Sequence, residues 1–216
     1  MKQEIKAVMF DLDGTLLDTL DDLTAAVNHA LSVRGFPSRT RDEVRSFVGN
    51  GIGKLIERSV PAGTPPEETA DCLRDFTEYY ESHLSVYTRP YPGIIELLRR
   101  LRARGIRVGI VSNKKDEAVQ VLCRQFFGSE VLAVGERADV RRKPEPDGVN
   151  ALLKAWGTVA KAETLYVGDS AVDVATAKGA GLSCVCVTWG FRTREELAAA
   201  GATLFADTPE QVEAYL

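Results

Sequence analysis

AVMFDLDGTLLDT, residues 7–19, ends an apolar run in two aspartates separated by a single leucine. The run Ala7-Val8-Met9-Phe10 reads as a buried strand. Residues i and i+2 of a strand point the same way, so Asp11 and Asp13 present two carboxylates to one point. Gly14 then allows the chain to turn without steric penalty. Like charges this close repel, and desolvating them costs on the order of several kcal/mol. A cation or a reaction has to compensate.

The same design recurs in LYVGDSAVDV, residues 165–174, where an apolar run ends at Gly168 and Asp169 follows at once. Asp173 comes four residues later, a spacing that puts the pair on one helix face. Further apolar β-type runs lie at 5–10, 106–111, 131–134, 164–167 and 183–187, several of them nearly continuous. Continuous runs are the mark of strands buried on both faces of a parallel sheet. Between them, GIIELLRRLRARG (93–105), DEAVQVLCRQF, DGVNALLKAW and AVDVATAKGAG carry apolar residues at helical spacing. Strand and helix alternate, which predicts an α/β fold: a doubly wound, mostly parallel, Rossmann-like sheet. Its ligands are expected in the crevice beyond the carboxyl ends of the strands.

The stretch from about 19 to 85 breaks this rhythm. TLDDLTAAVNHALSVRG, TRDEVRSFV, IGKLIERSV and PEETADCLRDFTEYYESHL all read as amphipathic helices, separated by FPSR, GNG and PAGTPP. An all-helical domain inserted after the first strand is expected over 18–87, with the α/β core formed by 1–17 and 88–216. The hinges fall in LLDT (16–19) and SVYTRPYPG (85–93).

Asp11, Asp13, Asp169 and Asp173 together make an all-oxygen donor set, the hard ligands that Mg²⁺ prefers. Two more strand ends add polar groups. GIVSNKK places Ser112 and Asn113 after a third strand, where a hydroxyl and backbone N–H groups at a helix start would cradle an anion. In RRKPEPD, Lys143 precedes two prolines that stiffen its loop, supplying the fixed positive partner that a phosphate in an acidic site needs. Arg141 and Arg142 read as a solvated basic turn.

Composition narrows the functional classes. The 216 residues are 44% hydrophobic and 27% charged, ordinary values for a globular chain. A formal charge of -4 argues against nucleic acid as a partner but not against a small anion held by local lysines. No apolar stretch approaches membrane-spanning length, and MKQEIKAVMF lacks the apolar segment of a signal peptide. A cytoplasmic setting is expected, as monomer or homodimer. Cys72, Cys123, Cys184 and Cys186 follow no framework spacing and read as reduced core thiols.

DLDGTLLDT, VSNK, KPEPDG and VGDSAVD resemble, in order, the four motifs of the haloacid dehalogenase superfamily. The helical insert is similar to that superfamily's C1-type cap. FVGNGIGKLIERSV and YTRPYPGIIELLRRL resemble the phosphoglycolate phosphatases and their close relatives. The resemblance implies a phosphatase in which Asp11 attacks phosphorus and Asp13 protonates the leaving alkoxide, then activates water. It further implies Mg²⁺ held by Asp11, the Asp13 backbone carbonyl and Asp169, with Asp173 nearby. Ser112 and Lys143 would hold phosphate oxygens. The implied substrate is a small anionic phosphorylated metabolite, with 2-phosphoglycolate the leading choice. Gly49, Asn50, Gly51 and Lys54 match the stretch that reads the substrate in similar phosphatases.

Rival readings remain within the superfamily: a phosphatase of sugar phosphates, nucleotides or pyrophosphate, or a phosphomutase. The dehalogenase branch lacks an acid at the position of Asp13, which favours phosphate chemistry. A phospho-receiver module shares the acids, hydroxyl and lysine, yet needs neither Asp13 nor a cap. GNGIGK (49–54) fails the nucleotide-loop templates, because Lys54 stands where the dinucleotide motif needs Gly and Val48 where Walker A needs it.

Overall fold

The computed structural model describes residues 4–216. From its start the chain forms β1 (Ala7–Phe10), β2 (Leu17–Asp18), α1 (Leu20–Val33), α2 (Arg41–Phe47), α3 (Ile52–Ser59) and α4 (Pro66–Ser82). It continues through β3 (Arg89–Pro90), α5 (Ile94–Ala103), β4 (Arg107–Lys115), α6 (Asp116–Phe127), β5 (Leu132–Glu136) and α7 (Asp147–Trp156). The last quarter holds β6 (Thr164–Gly168), α8 (Ala171–Ala180), β7 (Ser183–Val187), α9 (Arg194–Ala199), β8 (Leu204–Ala206) and α10 (Pro209–Val212).

Six strands form one sheet in the order β5-β4-β1-β6-β7-β8, and every pairing in it is parallel. From β1 the chain goes to β4 on one side and later to β6 on the other, so β1 borders the switch point at which such folds bind ligands. All four residues of β1 and all five of β6 are buried, which is why their sequences run apolar without alternating. On one face Met9, Val111, Val134 and Tyr166 pack with Val149 and Leu152 of α7. The edge strand β8 was absent from the sequence-based expectation; at three residues, only one of them buried, it is too short to show a period.

The chain divides into two compact units: one is the chain up to Leu17 together with Pro90–Leu216, the other Asp18–Arg89. The return crossing thus falls at residues 89 and 90, two residues beyond the boundary read from sequence. The second unit is helical, containing α1 to α4. α1 buries Leu20, Leu23, Val27 and Leu31, the stripe its sequence spacing predicts. α4 buries Cys72, Phe76 and Tyr80 at four-residue intervals. Thr40 and Glu43 form a capping box that starts α2. Asp22 is buried and accepts hydrogen bonds from the backbone N–H groups of Tyr87 and Thr88 and from the Thr88 hydroxyl. Tyr79 stacks on both His29 and His83. Among the described residues no helix is long and apolar enough to cross a membrane.

Candidate active site

The parallel register sets Phe10 beside both Ile110 and Val167, so the residues that follow β1 and β6 emerge along one edge beside the far end of β4. Asp11 comes directly after β1 and is fastened there by its N–H donating to the Val167 carbonyl at 2.9 Å. Asp169 comes directly after β6. Its carboxylate accepts from the Phe191 N–H at 2.7 Å and the Thr15 hydroxyl at 3.3 Å. Trp189 donates its indole N–H to the Thr15 carbonyl at 3.0 Å, tying the segment after β7 to the turn after β1. That turn needs Gly14 at φ 87°, and Gly190 stacks so closely on Gly14 and Asp169 that no side chain fits there.

Asp169 and Asp173 do not share a helix face, a correction to the spacing argument. Asp169 lies ahead of α8, and Ser170 is the residue that caps the helix. Asp173 is the capping-box partner: one of its oxygens accepts from the Ser170 N–H at 3.1 Å and from the Ser170 hydroxyl at 2.5 Å. The capping turn, rather than a helical stripe, brings the two acids together. One oxygen each of Asp11, Asp169 and Asp173 lies within 4.8 Å of the others, and all three residues are buried.

Lys143 is the counter-charge. Its Nζ lies 2.7 Å from Asp11 Oδ1 and 2.8 Å from Asp173 Oδ1, and its side chain is 4% exposed against 70% for Arg141. The Tyr166 hydroxyl also donates to Asp173, at 3.2 Å. Burial would lower the Lys143 pKa, but Asp11 and Asp173 outweigh it and hold the ammonium well above its ordinary value. Burial, reinforced by the Asp173 charge, pushes Asp11 well above the usual carboxylate range against the pull of Lys143. Asp169 is pushed up to about 7, by burial first and by Asp173 second. Were all three carboxylates ionised, they would exceed the one ammonium by two negative charges, the charge a divalent cation carries. Hard oxygen donors in a buried cluster with that deficit can hold such an ion.

Ser112 and Asn113 lie inside β4 rather than at a helix start, so the expected cradle at the mouth of α6 is not what forms. The pairing of β4 with β5 breaks between Val111 and Lys115, which frees residues 112–114 from the regular ladder. The Ser112 hydroxyl is buried and accepts from the Lys114 N–H at 3.2 Å. Asn113 brackets Lys143: its Nδ2 donates to the Lys143 carbonyl at 3.0 Å, and its Oδ1 accepts from the Lys143 N–H at 2.7 Å. It thereby braces the lysine loop.

Asp13 stands apart from the other acids, held by a residue the sequence reading passed over. Lys114 Nζ lies 3.0 Å and 3.1 Å from its two carboxylate oxygens. The signal was present in VSNKK: with period two, residue 114 shares a strand face with Ser112, and a lysine there needs an acid.

Gly49, Asn50, Gly51 and Lys54 all belong to the helical unit. Gly51 caps α3 with φ 82°, Asn50 accepts a hydrogen bond from Arg58 at 2.9 Å, and Lys54 pairs with Glu57 at 2.6 Å.

The haloacid dehalogenase-like hydrolase family profile matches residues 8–187. A phosphoglycolate phosphatase of Cereibacter sphaeroides is 39% identical over 191 residues, covering 86% of this chain and 86% of that protein. Phosphoglycolate phosphatase 1 of Pseudomonas aeruginosa is 34% identical over 210 residues, covering 94% of this chain and 76% of its own. A crystal structure from Lactobacillus delbrueckii subsp. bulgaricus, described provisionally as a phosphoglycolate phosphatase, superposes with a TM-score of 0.93 at 34% identity, covering 99% of both chains. A parallel sheet with acids at its strand ends and a family match across most of its length have one meaning: the chain belongs to the haloacid dehalogenase-like hydrolases, among relatives that are phosphatases.

Proposed function

We propose that the protein hydrolyses a small anionic phosphomonoester, 2-phosphoglycolate first among the candidates, through a phosphoryl-aspartate on Asp11. The observation that carries this reading is the separation of the acids into two environments. Asp11 sits against Lys143 in the buried cluster, whereas Asp13 sits against Lys114 outside it. Asp11 stands among the acids that could hold a cation, which suits it to attack, and Asp13 stands outside them, which suits it to move a proton.

Asp11 supplies the oxygen that bonds to phosphorus as the ester oxygen departs. Asp13 gives that oxygen its proton, then takes one from the water that cleaves the acyl phosphate, so each acid ends as it began. The Ser112 hydroxyl and the Lys143 ammonium bind phosphoryl oxygens and stabilise the charge that shifts onto them. Asp173 holds the Lys143 ammonium and Asn113 its main chain, while the Tyr166 hydroxyl steadies Asp173 by donating to it. Mg²⁺, held by Asp11, Asp169 and the Asp13 carbonyl with Asp173 nearby, would supply the two positive charges the cluster lacks and lessen the repulsion between Asp11 and a phosphate dianion. The helical unit serves as the cap that selects the substrate, through Gly49, Asn50, Gly51 and Lys54. The four free thiols suit a reducing, cytoplasmic setting.

Asp11→Asn tests the reading. Phosphate release is expected to vanish while the circular-dichroism spectrum and melting temperature stay close to those of the parent. Rapid acid quench of the parent during turnover of labelled ester is expected to trap hydroxylamine-labile label on residue 11. Near-normal turnover by the variant would overturn the mechanism.

A further inference from the structure

Lys114 is a buried ammonium to which the reaction just described gives no step of its own. Its side chain is 5% exposed, and the Asp13 side chain that it meets is 16% exposed. The surrounding structure fixes its place. β4 leaves the β5 ladder just before it. Asp116 accepts the Gly135 N–H at 2.7 Å and holds the far side of the irregularity. The Lys114 N–H itself donates to the Ser112 hydroxyl.

The described residues therefore include two buried ammoniums on two different acids, Lys143 on Asp11 and Lys114 on Asp13. The first marks the phosphoryl end of the site. The second stands one hydrogen bond behind the carboxyl that addresses the leaving oxygen. A leaving group that carries a carboxylate on the adjacent carbon places a negative charge only three bonds from that oxygen, within reach of Lys114. A neutral leaving group has nothing to offer it. Burying an ammonium is costly, and a charge-assisted contact formed only with the right substrate is a use that offsets the cost.

We propose that Lys114 is a further specificity-determining residue, acting on the leaving group beside the cap residues: its ammonium, shared with Asp13, recognises a carboxylate on the carbon next to the ester oxygen. This rests on the phosphatase reading above, with Asp13 facing the leaving group. The substrate class is then a phosphomonoester of an α-hydroxy acid, with two anionic ends for two lysines.

The test compares 2-phosphoglycolate with 2-hydroxyethyl phosphate, which replaces the carboxylate by a neutral hydroxymethyl group. In Lys114→Met the ratio of kcat/KM for the two esters is expected to fall at least about 20-fold, the loss lying chiefly in KM for 2-phosphoglycolate. Lys114→Arg, which keeps the charge, is expected to retain most of the preference. Lys114→Gln, of similar polarity to the loop around it, repeats the measurement should the methionine variant fold poorly. If Lys114 merely holds Asp13, both esters decline together and the ratio stays within about threefold, which overturns the inference. A parent enzyme that cleaves 2-hydroxyethyl phosphate as well as or better than 2-phosphoglycolate also overturns it, while leaving the Asp11 chemistry standing. A parent that cleaves neither ester overturns the functional reading itself.

Discussion

Two carboxylates hold the Lys143 ammonium, and the Asn113 amide holds its main chain on both sides. Asn113→Ala leaves the buried Lys143 N–H and carbonyl without those partners, a loss of about 1–3 kcal/mol of stability. The catalytic effect should exceed the structural one. A lysine displaced by an ångström stabilises the phosphoryl oxygens poorly, and kcat is expected to fall ~100-fold. Thermal melting and steady-state kinetics on the same preparation check both; unchanged kcat would mean the loop holds its lysine unaided. Asp11, Lys143 and Asp169 were legible in the sequence because each follows an apolar run or sits in a stiffened loop with unusual chemistry. The bracket was not legible. It joins residues 30 apart through a side chain and a main chain, and no local spacing announces such a contact. Lys114 was within reach but masked, since a lysine after a strand reads as solvated until its burial is known.

At the scale of elements, the central strands declared themselves through near-continuous apolar runs, and the helices between them through their stripes. β4 ran past its expected end at 111 to Lys115, because polar residues at a ligand-facing strand end break the hydrophobic pattern without breaking the strand. The helix α8 starts at Ala171, where AVDVATAKGAG placed it, but Asp169 was misplaced on its face: two acids four residues apart satisfied the helical template, while the cap was Ser170 between them. Glycines test whether the segments after β1, β6 and β7 form a single unit of structure. A methyl at Gly190 would meet the Gly14 carbonyl and the Asp169 side chain at once. Gly190→Ala is expected to cost about 1–3 kcal/mol and to weaken metal affinity in isothermal titration by displacing Asp169. Gly179→Ala, inside α8 with its nearest neighbour 3.8 Å away, is the opposite case and should gain up to ~1 kcal/mol without touching metal affinity. Equal behaviour of the two variants would sink the idea of a shared turn cluster.

Over the whole molecule, every acid of the candidate metal cluster belongs to the sheet unit, although Asp11 precedes the helical unit in the chain and Asp169 follows it. Sequence indicated that insertion through the loss of strand signals between 19 and 85. It could not fix the return point to the residue, because SVYTRPYPG satisfies turn and strand patterns alike. The organisation makes a thermodynamic prediction. A ligand that binds only the native sheet unit stabilises that unit by mass action, about 2.7 kcal/mol at a hundredfold excess over Kd. For a domain of this size the corresponding rise in Tm is roughly 5–10 °C. Scanning calorimetry with Mg²⁺ should therefore move the transition of the sheet unit by that amount. If the helical unit melts separately, its transition should stay where it is. Asp169→Asn removes one ligand oxygen's charge and should abolish most of the shift while preserving the metal-free transition. A shift that survives in Asp169→Asn would place the cation elsewhere and leave the buried carboxylates without their proposed partner.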